Sequence, residues 1–152
     1  MKKFIAVLQL LLVVMLAHAQ MMNPVKFSTS LKTNGTAVAE IVFNGKIQPG
    51  WHVYSTGLGA DGPISATFNV NKLDGVELVG KLQARGHEIS KFDPLFEMKL
   101  RFFEGSATFV QKVKFTKPNY LIDAYLEYGA CSDRIVFHLA RQASSIVVNL
   151  LL

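Results

Sequence analysis

Hydrophobic and polar positions alternate along most of the chain with a period of two. Val25, Phe27, Thr29 and Leu31 are interleaved with Lys26, Ser28, Ser30 and Lys32, the pattern of a strand with one face buried. Asn34-Gly35 follows, a dipeptide that tolerates the positive φ angles of a tight turn. Residues 37–43 make the return strand, punctuated by Asn44-Gly45. Short β-prone runs recur at 51–55, 64–70 and 76–82, the last two separated by the turn signal Asp74-Gly75. Residues 99–103 and 107–115 flank Glu104-Gly105-Ser106 as a further hairpin. In the next run Tyr120, Ile122, Ala124, Leu126 and Tyr128 share one face, with Leu121 and Tyr125 on the other. Residues 146–152 form a last apolar run. Eight or nine strands, spaced about 8–12 residues apart with no helix between them, predict an all-β fold. The expected architecture is an immunoglobulin-like antiparallel β-sandwich, with a small closed barrel as the alternative.

Ahead of the first strand, residues 1–19 have the form of a secretory signal peptide. Lys2 and Lys3 make a positive start, residues 4–16 are apolar apart from Gln9, and Ala17-His18-Ala19 is a small-x-small cleavage site. That run is too short to span a membrane, and no later stretch has the roughly 20 apolar residues a spanning helix needs. The remainder, residues 20–152, suffices for one domain with one core and is expected in the periplasm. The net charge of +5 falls to +3 once Lys2 and Lys3 leave, too little to specify a partner. No basic run is interleaved with aromatic residues, so nucleic acid is not an expected partner. With 50% hydrophobic and 18% charged residues, a disordered chain is excluded.

A single cysteine excludes an intrachain disulfide framework and a multi-thiolate zinc site. Cys131 stands in Glu127-Tyr128-Gly129-Ala130-Cys131-Ser132-Asp133-Arg134, whose Gly, Ser and Asp suggest a loop or strand end. The nearby Arg134 charge favours a thiolate, the reactive form. Two readings stay open: an accessible thiol, unusual in an oxidising compartment, and a small buried hydrophobe without chemistry. His52, His87 and His138 lie 35 and 51 residues apart, and the methionines form no repeated Met-x-x-Met pattern. No metal or other cofactor is therefore expected. There is no Gly-x-Ser-x-Gly elbow, and Gly57-Leu58-Gly59-Ala60-Asp61-Gly62 reads as a flexible loop rather than a phosphate cradle. Asn34-Gly35-Thr36 matches a glycosylation sequon that the expected turn already explains. Lys91-Phe92-Asp93-Pro94-Leu95-Phe96 puts two rings in a Pro-containing loop, where they either cover a site or partner or tuck into the sandwich edge.

An ordered series of segments carries a family resemblance. It runs Pro24-Val25-Lys26-Phe27, Gly50-Trp51-His52-Val53-Tyr54-Ser55, then Gly62-Pro63-Ile64-Ser65-Ala66-Thr67-Phe68. Leu78-Val79-Gly80-Lys81, Phe92-Asp93, Phe96-Glu97-Met98, Ala107-Thr108-Phe109 and Tyr125-Leu126-Glu127-Tyr128 continue it up to Cys131. This series resembles the N-terminal periplasmic domain of the thiol:disulfide interchange protein DsbD, in its Bacteroidetes-like version, over residues 23–134. The resemblance implies an immunoglobulin-like sandwich with two redox cysteines on adjoining strands. Such a domain takes electrons from a thioredoxin-like domain and passes them to periplasmic thioredoxin-like proteins serving disulfide isomerisation and cytochrome c maturation. By position Cys131 matches the first redox cysteine. Phe92, Asp93 and Phe96 fall in the cap loop that shields the pair, Phe92 ahead of Phe96 as the shielding ring.

The family pattern places a second cysteine five or six residues after the first, followed by prolines. Val136 and Phe137 stand there, and the last proline is Pro118. A lone Cys131 can form a mixed disulfide but cannot resolve it within the domain. Residues 135–152 are an atypical tail, and a frame disruption just after Cys131 would account together for the absent cysteine, the absent prolines and the end of the chain. The expected function is an electron-relay domain impaired by that loss, leaving open whether the chain is an enzyme. The alternative is a non-enzymatic exported immunoglobulin-like module that binds a protein through its loops. Cys131 can also pair with Cys131 of a second copy, as a disulfide-linked homodimer.

Overall fold

Runs of alternating residues become strands because one face can pack while the backbone groups pair with a neighbour. The computed structural model describes residues 23–132 and, as backbone, 135–144. The signal peptide expected at 1–19, Arg134 and the apolar run 146–152 lie outside these residues. In chain order the strands are β1 (Val25–Thr33), β2 (Val38–Ile47), β3 (Trp51–Tyr54), β4 (Thr67–Asp74) and β5 (Val76–Arg85). They continue with β6 (Ile89–Asp93), β7 (Met98–Glu104), β8 (Ser106–Phe115), β9 (Leu121–Ser132) and β10 (Ile135–Ser144).

One sheet has the order β1-β2-β8-β5 and the other β10-β9-β3-β7-β6. The long β9 carries two strands on one edge, β3 opposite residues 130–132 and β4 opposite residues 121–127. All pairings are antiparallel, so the all-β immunoglobulin-like sandwich holds, with open sheets rather than a closed barrel. Among the described residues no helix is long and apolar enough to cross a membrane.

The interior follows the alternation. Ile122, Ala124, Leu126 and Tyr128 are all buried on the inward face of β9 and meet Ala107, Phe109 and Val113 from β8. Phe27 sets its ring 4.9 Å from Tyr128 and 6.0 Å from Phe109, and Phe103 stands edge-on to Phe109 at 5.8 Å. Each fully buried ring of this kind contributes about 1.5–3 kcal/mol through removal from water. The one polar side chain on this inward face of β8 is Gln111, opposite a bulge where residues 80–82 of β5 meet a single residue. Its amide donates to the carbonyls of Gly80 at 3.2 Å and Lys112 at 3.0 Å, so the buried group keeps its partners.

Three expectations are corrected. Asn44-Gly45 does not end its strand: both lie within β2, and a β-carbon on Gly45 would sit 2.5 Å from Phe27 Cε1, so the glycine makes room for a ring. The segment around Phe92 is not all loop, since β6 runs through Asp93 and pairs with β7. Residues 135–144 form β10 along β9, a strand the pattern did not mark. Asn34, by contrast, does shape its turn: its Oδ1 accepts from Thr36 N at 3.2 Å and Oγ1 at 2.7 Å, with Gly35 at φ 79°.

Candidate functional site

Cys131 is the second-to-last residue of β9, placed directly opposite His52 of β3. Its neighbours Val53 and Ala130 belong to the interior, so alternation turns His52, Tyr54 and Cys131 to the outer face of the second sheet. That face is not bare. A satellite cluster of Tyr54, Leu58 and Leu100 is buried there, and Phe96, Met98, Phe102 and Cys131 pack against it. Cys131 is half-buried, between the two readings its sequence left open.

Gly129 explains how the cluster forms. A β-carbon there would lie 2.7 Å from the Ile64 carbonyl oxygen and 3.3 Å from Tyr54 Cδ2. Without a side chain, β9 lets the Tyr54 ring and the Ile64 backbone close over it beside the cysteine. The Tyr54 hydroxyl is hydrogen-bonded to the Cys131 thiol. Burial first, then the neighbouring Cys131 and the Asp93 carboxylate, push that hydroxyl well above the ordinary tyrosine range, so it stays protonated and donates. The Cys131 thiol in turn reaches the Ser132 carbonyl at 3.5 Å.

The other wall is the turn between β6 and β7. Asp93 Oδ1 accepts from Leu95 N at 2.8 Å and Phe96 N at 3.3 Å, a side-chain-bonded turn that Asp-Pro initiates and Glu97, at φ 52°, completes. Of the two rings expected in the cap, Phe96 packs on the cluster with Cys131, whereas Phe92 is 60% exposed. Phe92 lines a shallow pocket of about 190 Å³ together with His52, Lys91 and Glu104. Phe102, 4.9 Å from the His52 ring, borders the same pocket. Among the described residues no group of three or more His, Cys, Asp or Glu is placed to hold a metal ion.

Tyr54, Leu58 and Gly129 are site residues the sequence reading did not single out. A signal for Tyr54 existed, since it shares a strand face with His52, but only the β3–β9 register brings it to the cysteine. The same register fixes a backbone relation across β9 and β10. Ile135 pairs with Ser132 and His138 with Ala130, so Val136 and Phe137 form a bulge opposite Cys131.

No protein-family model matches the chain, and no curated protein is significantly similar to it. The fold is similar to the N-terminal periplasmic domain of ScsB from Proteus mirabilis, with a TM-score of 0.57 and 14% identity over 82% of this chain. The chain spans 47% of that ScsB chain. The N-terminal domain of DsbD from Neisseria meningitidis in the reduced form is also similar, with a TM-score of 0.47, 16% identity, and coverage of 81% of this chain and 86% of that one. At such identities the likeness to ScsB establishes the fold, an immunoglobulin-like sandwich of the kind found in a periplasmic domain.

Proposed function

We propose that the chain is a thiol:disulfide interchange domain of the DsbD N-terminal type, in its Bacteroidetes-like version, exported to the periplasm by residues 1–19. Cys131 is the exchanging thiol, and thioredoxin-like proteins of the disulfide-isomerisation and cytochrome c maturation systems are its partners. The observation that carries this reading is a half-buried thiol set under a tyrosine hydroxyl and a phenylalanine turn, on the outer face of a sandwich similar to the ScsB domain. The exchange step balances without a cofactor. The Cys131 thiolate attacks a partner disulfide, a Cys131–partner bond forms, and the second partner sulfur leaves as a thiolate.

With one cysteine in the sequence, the partner's own second thiol must break that bond again, and net two-electron transfer is lost. The bulge opposite Cys131 supports this account, because it spans the two positions at which the family pattern holds the second cysteine. The test uses a thioredoxin-like protein that lacks its resolving cysteine and carries a chromogenic thiol leaving group on the other. Wild-type protein is expected to release the leaving group and become cross-linked, and Cys131→Ser to do neither. Phe137→Cys or Val136→Cys is expected to release the cross-linked partner as a free thiol, leaving a disulfide within the domain. A native wild-type protein that reacts no faster than Cys131→Ser sinks the proposal. Non-reducing electrophoresis of the same samples shows whether Cys131 pairs with a second copy.

A second reading is a loop-mediated protein-binding module, favoured by Phe92 and Leu95, which are 60% and 67% exposed on the β6–β7 hairpin. It requires that Cys131→Ser leave partner capture unchanged and that Leu95→Asp remove it.

A further inference from the structure

The Phe96 turn covers the cysteine from one side only. The other side is residues 55–66, which leave β3, cross the outer face and return to the same edge of β9 as β4. The base of this segment is closed by the Ala66 N–H donating to the Ser55 carbonyl at 3.0 Å. Leu58, 6% exposed, is the side chain it contributes to the cluster that holds Cys131, and the Leu58 N–H donates to Ser65 Oγ at 2.9 Å. Its Ile64 backbone rests on Gly129, the next outward position along β9 from the cysteine.

A charged tie from the neighbouring hairpin anchors the start of the segment, on the face of the sheet away from Cys131. Arg101 of β7 donates from Nη2 to the Thr56 carbonyl at 2.6 Å, and its Nη1 lies 3.4 Å from Glu88 Oε2. The other Glu88 oxygen accepts from Ser55 Oγ, whose residue is fully buried. One arginine therefore ties the first two residues of the segment, Thr56 directly and Ser55 through the Glu88 carboxylate, on which a buried hydroxyl also depends. The Phe96 turn is held separately, by Asp93 at the far end of β6.

We propose that residues 55–66 are a second, independently latched cover over Cys131, with Arg101 as the latch. The inference rests on reading Cys131 as the thiol a partner must reach. Two covers held by unrelated groups open with separate free energies, so weakening each multiplies the exposure of what lies beneath.

The test is the rate at which a maleimide alkylates Cys131 in the folded protein. Arg101→Gln is expected to raise it about tenfold, the equivalent of one charge-assisted hydrogen bond. Phe96→Ala is expected to raise it as well, and the double variant to show the product of the two increases. Amide exchange at Leu58 and Ala66 is expected to accelerate in Arg101→Gln and stay unchanged in Phe96→Ala. Should Arg101→Gln fail to fold, Leu58→Ala and Ser65→Ala carry the same comparison. Alkylation in Arg101→Gln and Leu58→Ala that stays within about twofold of wild type, or a double variant no faster than the faster single one, overturns the proposal. Alkylation needs no partner. Variants that expose Cys131 as expected, while none of them exchanges with a thioredoxin-like protein, keep the latch and overturn the redox reading. Unchanged alkylation alongside normal exchange does the reverse.

Discussion

Phe103, Phe109 and Leu126 reach the sandwich interior by simple alternation, and the side chains around them come mostly from strands of the two sheets. On the outer face of the second sheet, Tyr54 and Leu100 come from strands, Leu58 from a twelve-residue connection and Phe96 from a turn. Both groups are largely apolar, but they are held differently. The interior is fixed by ladders on every side. The outer cluster is closed by a few identifiable bonds: Asp93 to its turn, Ser65 to Leu58, and Arg101 to Thr56. A group held by few bonds opens at lower cost than the fold as a whole. The thiol belongs to the second group, half-buried by side chains that few bonds hold in place.

The contrast breaks first at the interior. Phe109→Ala is expected to cost about 3–5 kcal/mol, through lost burial and the cavity left between two sheets. Denaturant unfolding would show it, and any increase in Cys131 alkylation should track the globally unfolded fraction. Gly129→Ala acts at the boundary between the two regions. Its new methyl group would meet the Ile64 carbonyl, and the expected cost is about 1–3 kcal/mol. Here alkylation should rise far more than unfolding alone explains. Phe96→Ala is expected to cost about 1 kcal/mol by thermal melting and to act almost wholly on access to the thiol.

Alkaline pH sharpens the comparison because each region contains one buried tyrosine. Burial raises the hydroxyls of both Tyr54 and Tyr128 above their ordinary 10.0. The unfolded chain therefore loses these protons first. The stability they contribute is fully present below pH 10.0 and declines as pH rises beyond it. Tyr54→Phe should decline less steeply than wild type in urea titrations above that pH. The smallest effect is expected at Phe92→Ala. The ring is already 60% exposed, so stability should stay within about 0.5 kcal/mol and Cys131 alkylation should not change. A large rise in alkylation there would make Phe92, ahead of Phe96, the shielding ring.

How much of this could be read from the chain follows the same division. The alternation from Tyr120 to Tyr128 identified the inward face of β9 because that strand is buried on one side and half-covered on the other. β6 escaped notice because it lies at an edge with no fully buried residue, so its side chains carry no hydrophobic rhythm. Glycine misled in two ways. Asn44-Gly45 looked like a turn but is a gap for the Phe27 ring, and Gly129 looked like a loop marker but is a seat for another segment. Cys131 was visible as the lone thiol, and the turn beside it as aromatic residues around a proline. Tyr54 and Leu58 were not, because their partners are set by strand register and by a fold-back whose bonds join residues far apart in sequence.

The bulge that Gln111 fills has a bearing on solubility. β5 is the outermost strand of its sheet and leaves one row of amides and carbonyls without a neighbouring strand. A straight ten-residue edge would offer a docking ladder to any extended chain, including another copy of this one. Three residues crowded against one, with Gly80 at φ 68°, put a kink in the middle of that edge and break its regular spacing. The Gln111 amide, tied to Gly80 and Lys112, keeps the kink in place from inside the sandwich. A buried glutamine thereby holds an edge strand out of the straight form that edge-to-edge pairing requires.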